Sequence, residues 1–384
     1  MSVELDLVPT ALTQAIDELP LVDHHVHGAS SHDLSRTAFE ELITESDRPV
    51  PEWMTQFDSQ IGFAILRHCA PVLGLEPFCA PEEYLARRAR LGAAEVNRLL
   101  LGASGIGHFL VETGYRGEEL LGPSGMAEAS GSPADEVVRL ESVAEQVAAA
   151  GCQAGTFASR FGEALRERTR TARGLKTIAA YRCGLDFDPA PPSAEEVTFA
   201  AGRWLADGGG RVRDPVLVRH IVWAGLERGL PLQFHIGFGD PDVDLRRADP
   251  LLLRGLIELA EPTGVPLVLL HCYPYQRQAG FLAQAYPHVF FDVGLGVSYT
   301  GARSAALVAE SLEVAPFSKL LFSSDAFGPA ELHHLGALLW RRAMARVLGG
   351  FVTDGEWSLD QALRVASMVG GGNARHVYGL GAGG

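Results

Sequence analysis

The segment Leu21-Val22-Asp23-His24-His25-Val26-His27-Gly28 reads as a short apolar strand, set off by Pro20, that ends in a His-x-His pair. Side chains two apart on a strand point the same way, so the imidazoles of His25 and His27 can converge on one cation. Each ligand alone is weak evidence, because a lone strand-end histidine is more often a hydrogen-bonded structural residue, and the pair by itself leaves the two readings level. Later apolar runs add to it, ending in Phe234-His235-Ile236, Leu270-His271-Cys272 and Ser323-Ser324-Asp325. Four histidines and one aspartate at four strand ends make a mixed nitrogen and oxygen donor set suited to zinc, iron or manganese. Such a site can activate water, lowering its pKa from about 15.7 in bulk to roughly 7 and giving a hydroxide nucleophile.

Those ligands must be positioned by regular elements. From residue 29 to about 105 the pattern is helical, at 64–66, 84–91 and 93–101, with Pro71, Pro77 and Pro81 as punctuation. That length predicts an inserted helical cap. Strands are then predicted at 107–112, 136–141, 175–181, 231–236, 266–271, 289–293 and 319–324, several as continuous apolar runs typical of buried parallel strands. The run at 136–141 also reads as the start of the following helix. Helical patterns at 214–228 and 250–259 lie between strands. With the first strand, eight units predict an α/β fold, a (β/α)8 TIM barrel with a helical insertion after the first strand. Such barrels gather their catalytic groups at strand C-termini. A doubly wound open sheet is the alternative, but no Gly-x-Gly-x-x-Gly turn follows an early strand. No composition break divides residues 1–384, so one domain is expected.

The formal net charge of -15 argues against a nucleic-acid surface. Arg87-Arg88 and Arg341-Arg342 read as solvated helix faces. Five dispersed cysteines (Cys69, Cys79, Cys152, Cys183, Cys272) without a Cys-x-x-Cys spacing predict reduced thiols. Met1 to Ile16 lacks a basic start and apolar core, and no run is long enough to span a bilayer. A cytoplasmic protein with a small-molecule substrate, no nucleic-acid or membrane partner, and freedom to form a homo-oligomer is expected. His32, His68, His108, His220, His288, His333, His334 and His376 are read as surface or packing residues, and His24 as pointing away from the pair toward surrounding helices.

Asp23-His24-His25-Val26-His27, His235, His271 and Ser324-Asp325 together resemble the metal signature of the amidohydrolase superfamily, most closely its amidohydrolase family 2 branch. The stretches 174–182 and 372–380 are similar to the amidohydrolase-like region of nodulin/glutamine-synthetase-like fusion proteins. The resemblance implies a metal-dependent hydrolase with one or two divalent ions (zinc, iron or manganese). With two ions, His25, His27 and Asp325 would hold one and His235 and His271 the other, bridged by a carboxylated Lys176. With one ion, His25, His27, His235 and Asp325 would bind it and leave His271 to polarise substrate or move protons. Lys176 lies near the start of the predicted fourth strand, earlier than a strand-end ligand should, and a buried lysine paired with Glu141 or Glu112 is the alternative. By analogy, Asp325 would accept the water proton and deliver it to the leaving group.

For substrate binding, Tyr181 and Arg182 close the fourth predicted strand and Arg139 lies in the third, with Tyr273 beyond the sixth. An arginine beside a metal suggests an anionic substrate, and a structural salt bridge to Glu141 or Asp186 is the competing reading. Tyr273 and Trp223 are more often core or rim aromatics, and cap residues such as Trp53 and Phe57 more often pack on the barrel. The expected reaction is cleavage of an amide or related acyl bond of a small anionic molecule, such as a γ-glutamyl amide. Ester, thioester or lactone hydrolysis on the same site, a non-hydrolytic decarboxylase or isomerase, and a non-catalytic scaffold are the alternatives.

Overall fold

Seven short runs of buried residues pair in parallel and in chain order in the computed structural model, which describes residues 10–381. They are β1 (Leu21–Val26), β2 (Ile106–Glu112), β3 (Ala134–Arg139), β4 (Gly174–Thr177), β5 (Leu232–His235), β6 (Leu267–Leu270) and β7 (Val289–Phe291). Helices separate successive strands, which is how a chain returns to start the next parallel strand. Residues on the outward face, such as Leu21, Phe109, Val138, Leu175, Leu232, Leu269 and Phe291, join one core with the helices. Val22, Leu110, Val137, Val268, Leu270 and Leu321 form a second cluster on the inward face. The C-terminal residues Ala374, Val377, Tyr378 and Leu380 fill that second cluster. A Cβ on Gly174 would stand 3.1 Å from the Tyr378 ring, so β4 needs a glycine where the tail closes on it.

The predicted strand at 319–324 is not a regular strand. Phe317–Lys319 is a 3-10 turn, and Leu320 makes a single parallel bridge to Phe291. Backbone bonds nevertheless tie this segment to both edges of the sheet. Leu321 N–H donates to Phe291 O (2.9 Å), while His24 N–H donates to Phe322 O (3.3 Å) and His27 N–H to Ala326 O (2.8 Å). The ladder is interrupted because the Asp23 carboxylate, not a backbone carbonyl, takes the Ser324 N–H at 2.9 Å. Beyond it, Asp325 leaves the extended region altogether, with φ of 50°.

The segment between β1 and β2 is helical at Arg36–Glu41, Gln60–Ala64, Pro81–Leu91 and Ala93–Gly102. A buried Glu331, at the start of the long helix Ala330–Thr353, accepts from Tyr84 Oη–H (2.8 Å) and Arg88 Nε–H (2.9 Å) and so fastens this segment. The arginine pairs read as solvated faces are therefore only half solvated. Arg88 is buried on Glu331, and Arg341 is buried with its guanidinium on the carbonyls of Ile16, Leu19, Ser104 and Gly105. All five cysteines are free thiols. No described helix is long and apolar enough to cross a membrane.

Candidate metal centre

The expected ligands stand at or just beyond the C-terminal ends of their strands. His25 is in β1 and His27 follows it, His235 ends β5, His271 follows β6, and Asp325 follows the bridging segment 320–324. Lys176 also belongs to this set, because β4 is shorter than the apolar run predicted. The Glu141 carboxylate accepts from Thr177 Oγ1–H (2.6 Å) and Ile178 N–H (3.0 Å), replacing a further rung, and residues 179–182 coil into a short helix. Lys176 is thus the penultimate residue of β4, with Nζ 3.4 Å from His25 Nε2. Among the described residues no carboxylate lies within ion-pairing distance of Nζ, so the alternative pairing with Glu141 or Glu112 is not made. Burial pushes the Lys176 ammonium down to about 8.

Asp325 is the hub. Its Oδ1 lies 3.1 Å from His25 Nε2 and 3.9 Å from His27 Nε2, and its Oδ2 lies 3.7 Å from His271 Nε2. One donor atom each from His25, His27 and Asp325 fall within 4.8 Å of one another. The His271 ring is 4.3 Å from that of His235, centroid to centroid, which brings the fourth histidine alongside. Burial alone would raise the Asp325 carboxyl, but His271, His25 and His27 hold it well below the usual carboxylate range.

Donor chemistry shows what belongs between these groups. Gln233 Nε2–H donates to His24 O (2.9 Å) and Tyr378 Oη (2.8 Å), so Gln233 Oε1 must accept from His25 Nδ1–H at 2.9 Å. Burial lowers the His25 imidazole to about 3, so it is neutral. Its Nε2 lone pair therefore faces a carboxylate oxygen, acceptor against acceptor. His27 is arranged alike, with Nδ1 2.9 Å from Glu112 Oε2 and Nε2 toward Asp325. His271 turns Nε2 to the same carboxylate, and His235 Nε2 is buried without a hydrogen-bond partner. Converging lone pairs around one carboxylate fit a cation.

A polar network holds the ligands from behind. His24 does not face the surrounding helices as expected. Its Nε2 is 3.1 Å from Asp292 Oδ2 and its Nδ1 is 3.1 Å from Tyr378 Oη. The cause is a register irregularity between Asp23 and Val26, which breaks strict alternation along β1. Asp292 Oδ1 also accepts from the backbone N–H of His271 (2.9 Å) and Gly294 (2.8 Å) and from Ser323 Oγ–H (2.8 Å). Glu112 accepts from Arg139 Nε–H (3.1 Å), Arg139 Nη2–H (2.6 Å) and Gly114 N–H (2.6 Å). His271 and Asp325 both sit at positive φ (44° and 50°), a conformation costing about 1–2 kcal/mol for a residue with a Cβ. Replacing Gln233 by leucine removes the acceptor that fixes the His25 tautomer. Zinc affinity measured by calorimetry should fall about 10- to 100-fold, and unchanged affinity would show that Gln233 only packs.

A cavity of about 400 Å³ opens over these residues. Of the predicted substrate contacts, Arg139, Tyr181 and Arg182 line it. Arg139 is engaged by Glu112, and Arg182 Nη2 is 2.9 Å from Glu145 Oε1, so neither pairs with Glu141 or Asp186. The Tyr181 ring lies 4.3 Å from that of His235. Tyr273 lies outside the cavity lining, over one-third exposed, with its ring 6.3 Å from Phe238. Trp223 donates its indole N–H to Pro189 O, the packing role expected of it. Three residues near the ligands have no role in the sequence reading, Glu45, Gln233 and Asp292, and Glu112 enters it only as an alternative partner of Lys176. Gln233 did leave a signal, as a lone polar residue inside a buried apolar run.

Comparisons with known proteins agree with this geometry. A family model described as Amidohydrolase matches residues 144–380, more than half of the chain. That stretch contains Lys176, His235, His271 and Asp325 but not His25 and His27. The protein fluG of Emericella nidulans is 33% identical over 223 residues, which are 54% of this chain and 25% of fluG. The chain therefore spans about a quarter of that relative's length. A crystal structure from Lactobacillus casei, provisionally described as a metal-dependent hydrolase, superposes with a TM-score of 0.85 at 26% identity. The match covers 96% of this chain and 97% of that one. A uronate isomerase from Bacillus halodurans shares the fold, with a TM-score of 0.65 at 14% identity and 96% of each chain covered. This chain belongs to the amidohydrolase family and is an enzyme of that superfamily.

Proposed function

We propose that this protein is a metal-dependent hydrolase that cleaves an amide or related acyl bond of a small anionic molecule. The observation that carries the reading is the convergence of His25, His27 and Asp325, with the lone pair of the neutral His25 imidazole aimed at the carboxylate. The provisional description of the Lactobacillus casei neighbour supports it. His25, His27 and Asp325 would hold one divalent ion, zinc, iron or manganese. His235 and His271 would hold a second, with a carboxylated Lys176 between them. When bound, such an ion supplies a Lewis acid and lowers the pKa of water to roughly 7.

The protein's own groups do the rest. Asp325 receives the water proton at Oδ2, on the side facing His271, and returns it to the leaving group. Arg182 takes an anionic group of the substrate, and Glu112 fixes the His27 ring. In the fold reading that accompanies this, the seven strands and the 320–326 segment form a complete (β/α)8 barrel, and residues 29–105 cap its mouth. Bonds from that segment to both sheet edges support the closure.

Hydrolysis in oxygen-labelled water tests the reaction. Label entering the acid product of an amide panel is expected, whereas a product formed without label would indicate decarboxylation or isomerisation. Lys176 has its own test. Native mass measurement should show one added CO2, and Lys176→Ala should lose metal that a short carboxylic acid restores. Full metal content in Lys176→Ala without added acid would exclude the bridging role.

A further inference from the structure

The cavity over the ligands holds an arginine with spare buried donors and a carboxyl group without an ion-pair partner among the described residues. Arg182 has a side chain only 5% exposed, and Glu145 takes one of its nitrogens. Its Nε and Nη1 are buried without partners. Glu45 enters the same cavity from the segment between β1 and β2, and among the described residues its side chain accepts only from the Tyr299 hydroxyl, at 3.2 Å. No cationic side chain among the described residues lies within ion-pairing distance of Glu45. Tyr115 and Phe327 line the cavity with it, their rings edge to face at 6.0 Å and the Arg116 guanidinium 5.5 Å from the Tyr115 centroid.

Glu45 also borders a second cavity of about 520 Å³, bounded by residues 43–46, 56–61 and 238–245. Asp240 is the other carboxylate common to the two. Whatever spans both spaces must pass these carboxylates.

We propose that the site selects a zwitterionic substrate of the amino-acid type, its carboxylate on Arg182 and its ammonium on Glu45, whose carboxyl also accepts from the Tyr299 hydroxyl. This rests on the hydrolase reading and narrows its substrate from an anionic to a doubly charged molecule. The two ends compensate each other's desolvation, since an unpaired buried charge is costly on either side. Burial, then the charge of Asp325, raises the Glu45 carboxyl to about 8, so it keeps its proton until an ammonium placed beside it favours the charged form. The further cavity beyond Glu45 leaves room for the group released on hydrolysis.

Binding tests this apart from turnover. Zinc-loaded protein is titrated calorimetrically with three pairs of ligands: aspartate and succinate, glutamate and glutarate, phenylalanine and 3-phenylpropionate. In at least one pair the amino acid should bind tenfold or more tightly than its deaminated partner. Glu45→Gln should abolish that preference while keeping the weaker binding of the acid, and Arg182→Met should weaken both members. Equal binding within every pair, no binding by any ligand, or a preference that survives Glu45→Gln would each overturn the proposal. The last outcome would assign the preference to chelation of zinc by the amino acid. Absence of labelled product from amides would instead defeat the hydrolase reading and leave this binding result standing.

Discussion

Asparagine in place of Asp325 is expected to cut turnover about a thousandfold, within the range for loss of a positioned proton-transfer group. The amide keeps the shape and one oxygen donor, so most of the bound metal should remain. What disappears is an oxygen able to accept a proton 3.7 Å from His271 Nε2. The amide nitrogen would also face the His271 lone pair or that of His25, and could donate to either. The variant should therefore fold, and its backbone can keep the positive φ at residue 325, because asparagine tolerates that region well. Rate measurements on the amide that incorporates label, combined with metal analysis of the same sample, separate the roles. Full turnover would remove Asp325 from the proton path, and complete loss of metal would make it a ligand first.

The second large effect concerns stability. Glu112→Ala leaves the Arg139 guanidinium, a side chain only 10% exposed, without its bidentate partner, and strips an acceptor from the Gly114 N–H. Breaking a buried pair from one side costs about 3–5 kcal/mol, because the remaining charge stays in the interior. Denaturant unfolding should show that loss. The double variant Glu112→Met with Arg139→Met should recover much of it, since no charge is then stranded. Equal stability of the single variant and the parent would mean that Arg139 finds water in the cavity.

The same pair sets a pH dependence. Burial alone would raise the Glu112 carboxyl, but Arg139 and His27 hold it well below the ordinary value of 4.5. A depressed folded pKa means the unfolded chain binds the proton more readily. Its contribution is thus present above about pH 4.5 and is lost as pH falls toward the folded value. Replacing Glu112 should flatten the acid limb of the stability profile.

Much of the centre was legible because strand ends are marked by chemistry. An imidazole or carboxylate that closes an apolar run is visible without any structure, and His25, His27, His235, His271 and Asp325 are picked out as candidates in that way. Lys176 was harder. Its strand stops where the Glu141 side chain bonds Thr177 and Ile178, and an apolar run that continues to Tyr181 cannot show this. The eighth segment failed as a strand for a related reason, since Asp23 replaces a backbone acceptor there. His24 was misplaced because a register irregularity has no signature in a pattern of alternation. Glu45 was invisible, because it comes from a segment whose packing over the site is fixed by distant contacts such as Glu331 with Tyr84 and Arg88.

Diffraction from crystals of the purified protein at metal absorption edges would settle the matter most directly. An anomalous peak among His25 Nε2, His27 Nε2 and Asp325 Oδ1 is the predicted result, with a second beside His235 and His271 if Lys176 is carboxylated. Protein that retains no transition metal, or holds one away from these three side chains, would contradict the metal centre and the hydrolase reading built on it.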